Sequence, residues 1–264
     1  MSVLVEINRR RRTLVAEQKA RLPQGALAVQ AKDVDREPVS LAAALRAGTA
    51  PRVIAEHKRA SPSEGDYGCG ATVAQVVRGY DRAGATGLSI LTETERFGGS
   101  LDHLQEARTL VDLPLLRKDF VVDEYQLYEA RLAGADAVLL IAAGLTLPEA
   151  RSFCRKAHEL QLEVLLELHG EADLDYLSIG PDVVGVNNRD LRTLEIDLAT
   201  SRAMLPHLPT DLPRLSESGI KSAGDAAELL SLGYDGLLVG TQFMKSADPG
   251  GALGTFLAET AALL

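Results

Sequence analysis

The sequence is poor in aromatic residues and lacks long apolar runs. It contains no tryptophan, and aromatic residues make up 4% of the 264 positions. The core must therefore consist of Leu, Val, Ile and Ala, which suits parallel strands that are buried on both faces. No apolar run approaches the length of a membrane span, and the first 23 residues show no signal-peptide pattern. We therefore expect a cytoplasmic protein without a membrane partner.

Cysteine is also scarce. The two cysteines, Cys69 and Cys154, match no metal or redox spacing, and we expect both to be reduced. We place Cys69 in a loop and Cys154 in a helix. No set of His, Cys and carboxylate residues has the spacing of metal ligands, so we expect no metal site.

The charge balance is acidic. A net charge of −9 argues against general nucleic-acid binding, so we expect no nucleic-acid partner. It leaves room for an anionic ligand, because local cations and helix N-termini set the field in a cleft. Residues 9–12 are all arginine and form the one basic cluster. We interpret this cluster as a solvated helix face.

Eight strand-like apolar runs alternate with helical stretches. The strands are predicted at residues 53–55, 87–91, 114–117, 137–141, 162–168, 183–186, 213–216 and 236–239. Helices are predicted at residues 72–83, 101–111, 124–133, 148–160, 198–205 and 223–232, with a shorter one at 169–179. This alternation implies a parallel sheet, and eight units imply a closed (β/α)8 barrel. An open doubly wound sheet is the alternative, but no Gly-rich dinucleotide turn follows the first strand.

The domain organisation follows from this pattern. We expect one α/β domain over residues 1–264, a (β/α)8 TIM barrel. Residues 1–50 would form a helical N-terminal extension, with helices at 3–21 and 40–46.

The first strand ends in two charged residues. Side chains alternate along a strand, so Glu56 and Lys58 share a face. Buried charges are costly unless they are paired or used. A structural ion pair and a catalytic pair are both consistent with this strand, but active sites of such barrels lie at the C-terminal strand ends.

The third and fifth strands also end in charged residues. Lys118 points into the barrel mouth beside Phe120, where desolvation and other cations would lower its pKa and make it a general acid. The alternative is that Lys118 only pairs with Glu56 or Glu167. Glu167 is a candidate base, or a group that holds a lysine. By alternation, His169 faces away from Glu167 toward a loop or helix, as His57 does on the first strand.

The last three strands end in residues that suit an anion. Asn187 and Arg189 offer a donor, an acceptor and a fork that fits a carboxylate or phosphate, whereas Asn188 is expected to face a helix. Small residues after the seventh and eighth strands let backbone N–H groups approach a phosphate: Ser218, Gly219, Gly240 and Thr241. We therefore expect a phosphorylated small molecule with a second anionic group as the ligand.

Taken in order, these strand ends resemble the indole-3-glycerol phosphate synthases of tryptophan biosynthesis. The resemblance covers nearly the whole chain, and its specific segments include Val53-Ile-Ala-Glu-His-Lys-Arg-Ala-Ser-Pro-Ser, Leu116-Arg-Lys-Asp-Phe, Gly185-Val-Asn-Asn-Arg-Asp-Leu and Ser216-Glu-Ser-Gly-Ile. It implies a carboxy-lyase that needs no cofactor. The reaction would be ring closure, decarboxylation and dehydration of 1-(2-carboxyphenylamino)-1-deoxyribulose 5-phosphate to indole-3-glycerol phosphate.

The resemblance also implies roles for the residues above. Lys118 would be the general acid of ring closure. Glu56, Lys58 and Glu167 would serve the dehydration and hold the charge network, with the division of proton transfers open. Substrate-positioning residues would be Asn187, Arg189 and Ser61, and the phosphate site would comprise Ser218, Gly219, Gly240 and Thr241. Apolar walls for the aromatic ring, unless these side chains belong to the core, would be Leu91, Phe120, Leu139 and Leu191.

Two rival functions remain, and the sequence departs from the family pattern at two places. Another phosphosugar barrel, such as phosphoribosylanthranilate isomerase, would use a Cys/Asp pair in place of Glu56 and Lys58. A non-catalytic phosphosugar-binding barrel would have lost its buried acid and base. His57 stands where the family usually has an aliphatic residue, and the N-terminal helix, which helps to cover the substrate in the family, is the least similar part. No long apolar seam is present, so we expect a monomer.

Overall fold

The computed structural model describes residues 3–48, 51–61, 65–67, 70–191 and 193–264. Eight parallel strands close into a barrel in which each strand pairs with its chain neighbours and the last returns to the first. In chain order they are β1 (Val53–His57), β2 (Gly87–Leu91), β3 (Leu115–Lys118), β4 (Ala137–Ile141), β5 (Glu163–Leu168), β6 (Val183–Asn187), β7 (Arg214–Glu217) and β8 (Gly236–Val239). The predicted (β/α)8 barrel is therefore confirmed.

Helices surround the barrel and precede it. They are α1 (Val3–Arg21), α2 (Gln24–Lys32), α3 (Leu41–Arg46), α4 (Val73–Ala83), α5 (Leu101–Arg108), α6 (Tyr125–Leu132), α7 (Leu147–Glu159), α8 (Ala199–Met204), α9 (Ala223–Leu232), α10 (Thr241–Met244) and α11 (Pro249–Ala261). The helix predicted at 169–179 is a 3-10 helix at Glu171–Ile179. None of the helices in the described parts of the chain is long and apolar enough to cross a bilayer.

Some elements differ from the sequence-based expectation. Helices α2, α10 and α11 were not predicted, and Pro23 precedes α2 as its N-cap as well as following α1. A short hairpin, Ala60–Ser61 with Gly65–Asp66, follows β1. Cys154 lies in α7 as predicted, whereas Cys69 lies outside the described residues.

Strand alternation divides the core into two layers. One cluster of buried residues takes every second side chain of the strands, among them Ile54, Leu116, Leu165 and Leu215. The intervening side chains belong to a second cluster with the surrounding helices, as Val53 and Leu88 do. Since Glu56, Lys118, Glu167 and Glu217 follow members of the first cluster by two positions, they point into the barrel at its C-terminal end.

Helix α3 of the N-terminal extension closes the opposite end of the barrel. Leu41 and Leu45 of α3 are fully buried and pack with the interior cluster. Glu163, at the start of β5, accepts hydrogen bonds from the Ser40 hydroxyl and, at 2.9 Å, from the Ala42 amide. Glu163 therefore lies at the N-terminal end of the barrel.

Helix α1 is attached to the barrel by the arginine cluster. Arg11 is buried and its Nη2 lies 2.7 Å from Asp119 Oδ2. Arg10 pairs with Glu95, and Arg12 donates to the Val122 carbonyl. The interpretation of this cluster as a solvated helix face was therefore wrong for Arg11, which is buried, whereas Arg10 and Arg12 are exposed as expected. All three side chains nevertheless bind groups more than eighty positions away in the sequence.

Candidate active site

A cavity of about 240 Å³ lies at the C-terminal ends of the strands. Helix α1 contributes Val3, Leu4 and Ile7 to its wall. Every residue that the sequence analysis assigned to a site lines this one cavity: Glu56, Lys58, Ser61, Leu91, Lys118, Phe120, Leu139, Glu167, Asn187, Arg189, Leu191, Ser218, Gly219, Gly240 and Thr241. The fold thus brings together residues from all eight strand ends.

Lys118 occupies the centre of the charged groups. Its Nζ lies 2.8 Å from Glu167 Oε2 and 2.6 Å from Glu217 Oε2. Burial opposes the charge of Lys118, but the carboxylates of Glu167, Glu217 and Glu56 outweigh burial and raise the pKa of Lys118. The expectation of a lowered pKa was wrong, because carboxylates rather than cations surround the ammonium group.

Glu217 was not among the predicted site residues. It is 1% exposed, and burial together with the nearby charge of Glu167 raises the pKa of its carboxyl, although Lys118 opposes that shift. Its Oε1 has no hydrogen-bond partner among the described residues and points at Gly185, where an added Cβ would lie 2.1 Å away. Strand alternation could have identified Glu217, since it shares an inward face with the core residue Leu215.

Glu167 differs from Glu217 in its surroundings. Burial favours the neutral acid, but Lys118 and then His169 outweigh burial and hold the pKa of Glu167 well below its ordinary value. His169 Nε2 lies 3.3 Å from Glu167 Oε1, so the expectation that His169 faces away from Glu167 was wrong. His57 does face a helix as expected, because its ring packs edge-on against His103 of α5 at 5.4 Å.

The pair at the end of β1 forms as expected. Lys58 Nζ lies 2.6 Å from Glu56 Oε1, and the Ser89 hydroxyl donates to Glu56 Oε2 at 3.4 Å. Gly240 packs directly on Glu56, since a Cβ at Gly240 would lie 2.7 Å from Glu56 Cβ. The absence of a side chain at residue 240 is therefore needed for packing against β1, whatever the ligand.

The two asparagines at the end of β6 face in opposite directions. Asn187 Oδ1 accepts a hydrogen bond of 3.0 Å from the Arg189 amide and faces the cavity. Asn188 is buried and faces away from the cavity, as expected. Its Nδ2 donates to the Ser216 hydroxyl and to the carbonyls of Glu217 and Ser218, each at 3.0 Å. Asn188 thus fixes the backbone that follows β7.

The predicted phosphate end of the cavity has additional polar groups. Ser218 and Gly219 both have positive φ, 66° and 79°, which turns the chain sharply after β7. Lys221 and Lys245 line the same end of the cavity. Both lysines were missed in the sequence, because they lie four and six positions beyond the strand ends and follow no pattern.

A tyrosine links the loop after β1 to the loop after β8. Tyr67 Oη donates to Ser61 Oγ at 3.0 Å and lies 3.1 Å from Thr241 Oγ1. This contact was not predicted from the sequence, and it holds Ser61 next to the predicted phosphate end.

Apolar side chains form another part of the cavity wall. Phe120 stands 6.2 Å from the ring of Phe97, which also lines the cavity. Leu139 belongs to the barrel interior, and Phe120 and Leu191 pack against that cluster. These side chains are thus both core and cavity wall. Within the described residues, no group of three or more His, Cys, Asp or Glu side chains is arranged to hold a metal ion.

Comparison with known proteins identifies the family. The family model described as indole-3-glycerol phosphate synthase matches residues 4–256. The chain belongs to the indole-3-glycerol phosphate synthase family. Among its relatives, the indole-3-glycerol phosphate synthase of Bacteroides thetaiotaomicron is 47% identical over 205 residues, which are 78% of this chain and 79% of that protein. Indole-3-glycerol phosphate synthase 1 of Streptomyces coelicolor is 40% identical over 98% of this chain and 96% of that protein.

Structural comparison adds the fold alone. The 3-hexulose-6-phosphate synthase of Salmonella typhimurium has a TM-score of 0.63 with 15% identity, covering 80% of this chain and all of that one. Membership in the indole-3-glycerol phosphate synthase family confirms the resemblance found in the sequence. It also decides against the isomerase as a rival function.

Proposed function

We propose that this chain is an indole-3-glycerol phosphate synthase of tryptophan biosynthesis, a carboxy-lyase whose reaction takes place in the cavity at the C-terminal ends of the strands. The observation that carries the assignment of residues is the position of the Lys118 ammonium, held between Glu167 and Glu217 at 2.8 and 2.6 Å. The substrate is the phosphorylated anilino sugar, 1-(2-carboxyphenylamino)-1-deoxyribulose 5-phosphate.

Lys118 acts in ring closure. When the aromatic carbon attacks the sugar carbonyl, negative charge develops on the carbonyl oxygen. A buried ammonium stabilises that charge before and during proton transfer, and it needs no reorganisation of solvent. The raised pKa of Lys118 keeps it protonated at neutral pH, so the acid form is the resting form.

The carboxylates and Lys58 act after ring closure. Loss of carbon dioxide restores the aromatic ring, and dehydration then needs one group to protonate the departing hydroxyl and another to remove a proton from the new ring. Glu56, Lys58 and Glu167 share these transfers. The Glu56–Lys58 pair, at 2.6 Å, supplies a donor and an acceptor at one strand end.

The two ends of the substrate bind at opposite sides of these groups. The phosphate lies against Ser218, Gly219, Gly240 and Thr241, where Lys221 and Lys245 add positive charge. Ser61 lies beside this phosphate end. Asn187 and Arg189 position the substrate, and the aromatic ring lies against the apolar wall formed by Leu91, Phe120, Leu139 and Leu191.

The test compares the wild type with Lys118→Ala. Purified protein is mixed with the substrate in the presence of a chelator, and indole absorbance or fluorescence is followed. The wild type should form product, and Lys118→Ala should be slower by about a hundredfold or more. Lys156→Ala is the matched control, since Lys156 pairs with Glu159 outside the cavity. Equal rates for wild type and Lys118→Ala would remove Lys118 as the acid. Binding without product would favour the non-catalytic barrel.

We also propose that the chain acts as a monomer. Its exposed large apolar side chains are distributed over different elements, among them Val5 of α1, Val29 of α2 and Leu232 of α9. Light scattering after gel filtration should give a mass near 28.2 kDa, and a doubled mass would refute the proposal. The cytoplasmic location stays a prediction.

A further inference from the structure

His169 contacts the Glu167 carboxylate of the candidate site, although strand alternation predicts that these two side chains point to opposite faces. The side chain of His169 is 13% exposed, and that of Glu167 is 2% exposed. His169 Nε2 approaches Glu167 Oε1 at 3.3 Å, while Glu167 Oε2 lies 2.8 Å from Lys118 Nζ. Each oxygen of Glu167 thus faces a different basic group, with His169 on one side and Lys118 on the other.

The local backbone explains this placement. Strand β5 ends at Leu168, so strand alternation no longer governs His169. The His169 amide donates to Asp173 Oδ2 at 2.7 Å, which folds the chain into the following 3-10 helix. This turn brings the imidazole back toward the barrel mouth.

The contact depends on charge. His169 Nε2 lies within ion-pair distance of Glu167 Oε1 but without the geometry of a good hydrogen bond, so the attraction is strong only when the imidazole is protonated. The acidic groups facing the ring come from three elements, Glu167 of β5, Asp173 of the 3-10 helix and Glu217 of β7. Burial opposes the charge, but these carboxylates outweigh burial and raise the pKa of His169.

We propose that His169 is a positioning residue, whose imidazolium holds the Glu167 carboxylate in its ionised form with Oε1 turned toward the ring, so that Oε2 stays on Lys118. This inference rests on the proposed function, because Glu167 and Lys118 are assigned there. When His169 loses its proton, Glu167 is held by Lys118 alone. The contribution of His169 is therefore complete at pH values below its raised pKa and is lost as the pH rises through that pKa.

The first test needs no turnover. The imidazole of His169 is titrated by NMR in the wild type and in Glu167→Gln. The pKa of His169 should lie above 6.5 in the wild type and should fall in Glu167→Gln. A pKa of His169 that is the same in both proteins would overturn the proposal.

The second test uses activity. His169→Leu should lower kcat by about tenfold with little change in KM, because a misplaced Glu167 affects the chemical step more than binding. His169→Gln, a neutral donor, should restore part of kcat and should lack the decline with rising pH that the imidazolium causes. Thermal unfolding followed by circular dichroism shows whether each variant folds. Wild-type kcat at every pH in both variants would refute the role.

The two tests separate the two proposals. If the wild type forms no product, the proposed function fails, but the NMR titration still decides whether the imidazolium is held by Glu167. If product forms and the NMR titration shows no coupling, only the role of His169 fails.

Discussion

Acid should destabilise this protein through one buried histidine. His57 is 1% exposed, and neither of its ring nitrogens has a hydrogen-bond partner among the described residues. Burial, with the neighbouring charges of His103 and Arg59, lowers the pKa of His57 from 6.5 to about 4. The folded protein therefore keeps His57 neutral over a pH range in which the unfolded chain binds a proton.

The magnitude follows from linkage. Between pH 6.5 and about 4 the unfolded state takes up the extra proton, so stability falls as the pH falls and levels off below about 4. The difference between the pKa values of His57 in the unfolded and folded states corresponds to about 3 kcal/mol of unfolding free energy, since one pKa unit is worth about 1.36 kcal/mol. His57→Leu removes this titration, and it also removes the buried unpaired ring nitrogens. Between pH 7 and pH 4, the free energy of unfolding of the variant should therefore fall by about 3 kcal/mol less than that of the wild type.

Urea unfolding at pH 7, 6, 5 and 4 measures this difference. Carboxylates also titrate in this range, but they are common to both proteins, so the difference between wild type and His57→Leu isolates the histidine and its coupling to His103. His207→Gln is the matched control, because the side chain of His207 is exposed. Parallel stability curves for wild type and His57→Leu would refute the reasoning.

Two further changes test the packing of the site. Arg11→Leu leaves the buried Asp119 with one fewer partner and should lower the free energy of unfolding, measured in urea, by about 2 to 3 kcal/mol. Arg10→Leu breaks an exposed pair and should lower it by less than about 1 kcal/mol. Equal losses in the two variants would contradict the buried attachment of α1. Gly185→Ala places a Cβ 2.1 Å from Glu217 Oε1 and should cost about 1 to 3 kcal/mol and lower kcat, and an unchanged kcat would show that Glu217 is free to move.

Local patterns were sufficient to predict the barrel. Runs of β-branched and leucine residues marked the strands, and the inward alternation that fixes Leu116 and Leu165 in the core also directs Lys118 and Glu167 into the mouth. The face of the sheet to which a strand side chain points is predictable, because the backbone fixes an alternation with a period of two residues.

The charge balance was not predictable from separate strands. Lys118 was expected to lie near other cations, but three carboxylates dominate its surroundings, and their effect depends on distances across the barrel. His169 was misassigned because the strand ends one residue before it and the Asp173 side chain turns the chain. Helix α2 was missed because its apolar residues, three of which are alanine, are not concentrated on one face, and it is held by packing of Leu27 against Tyr125.

The attachment of α1 has a consequence for synthesis. Arg11 binds a residue 108 positions further along the chain, and Asn8 donates to a carbonyl 136 positions further along. At about 5 to 20 residues per second, translation delivers the Arg11 partner roughly 5 to 20 s after the helix itself. During that interval Leu4, Ile7 and Val15 have no barrel surface to cover. Helix α1 therefore cannot dock until these partners have been made, and the wall that it adds to the cavity is completed only once the third and fourth strands have left the ribosome.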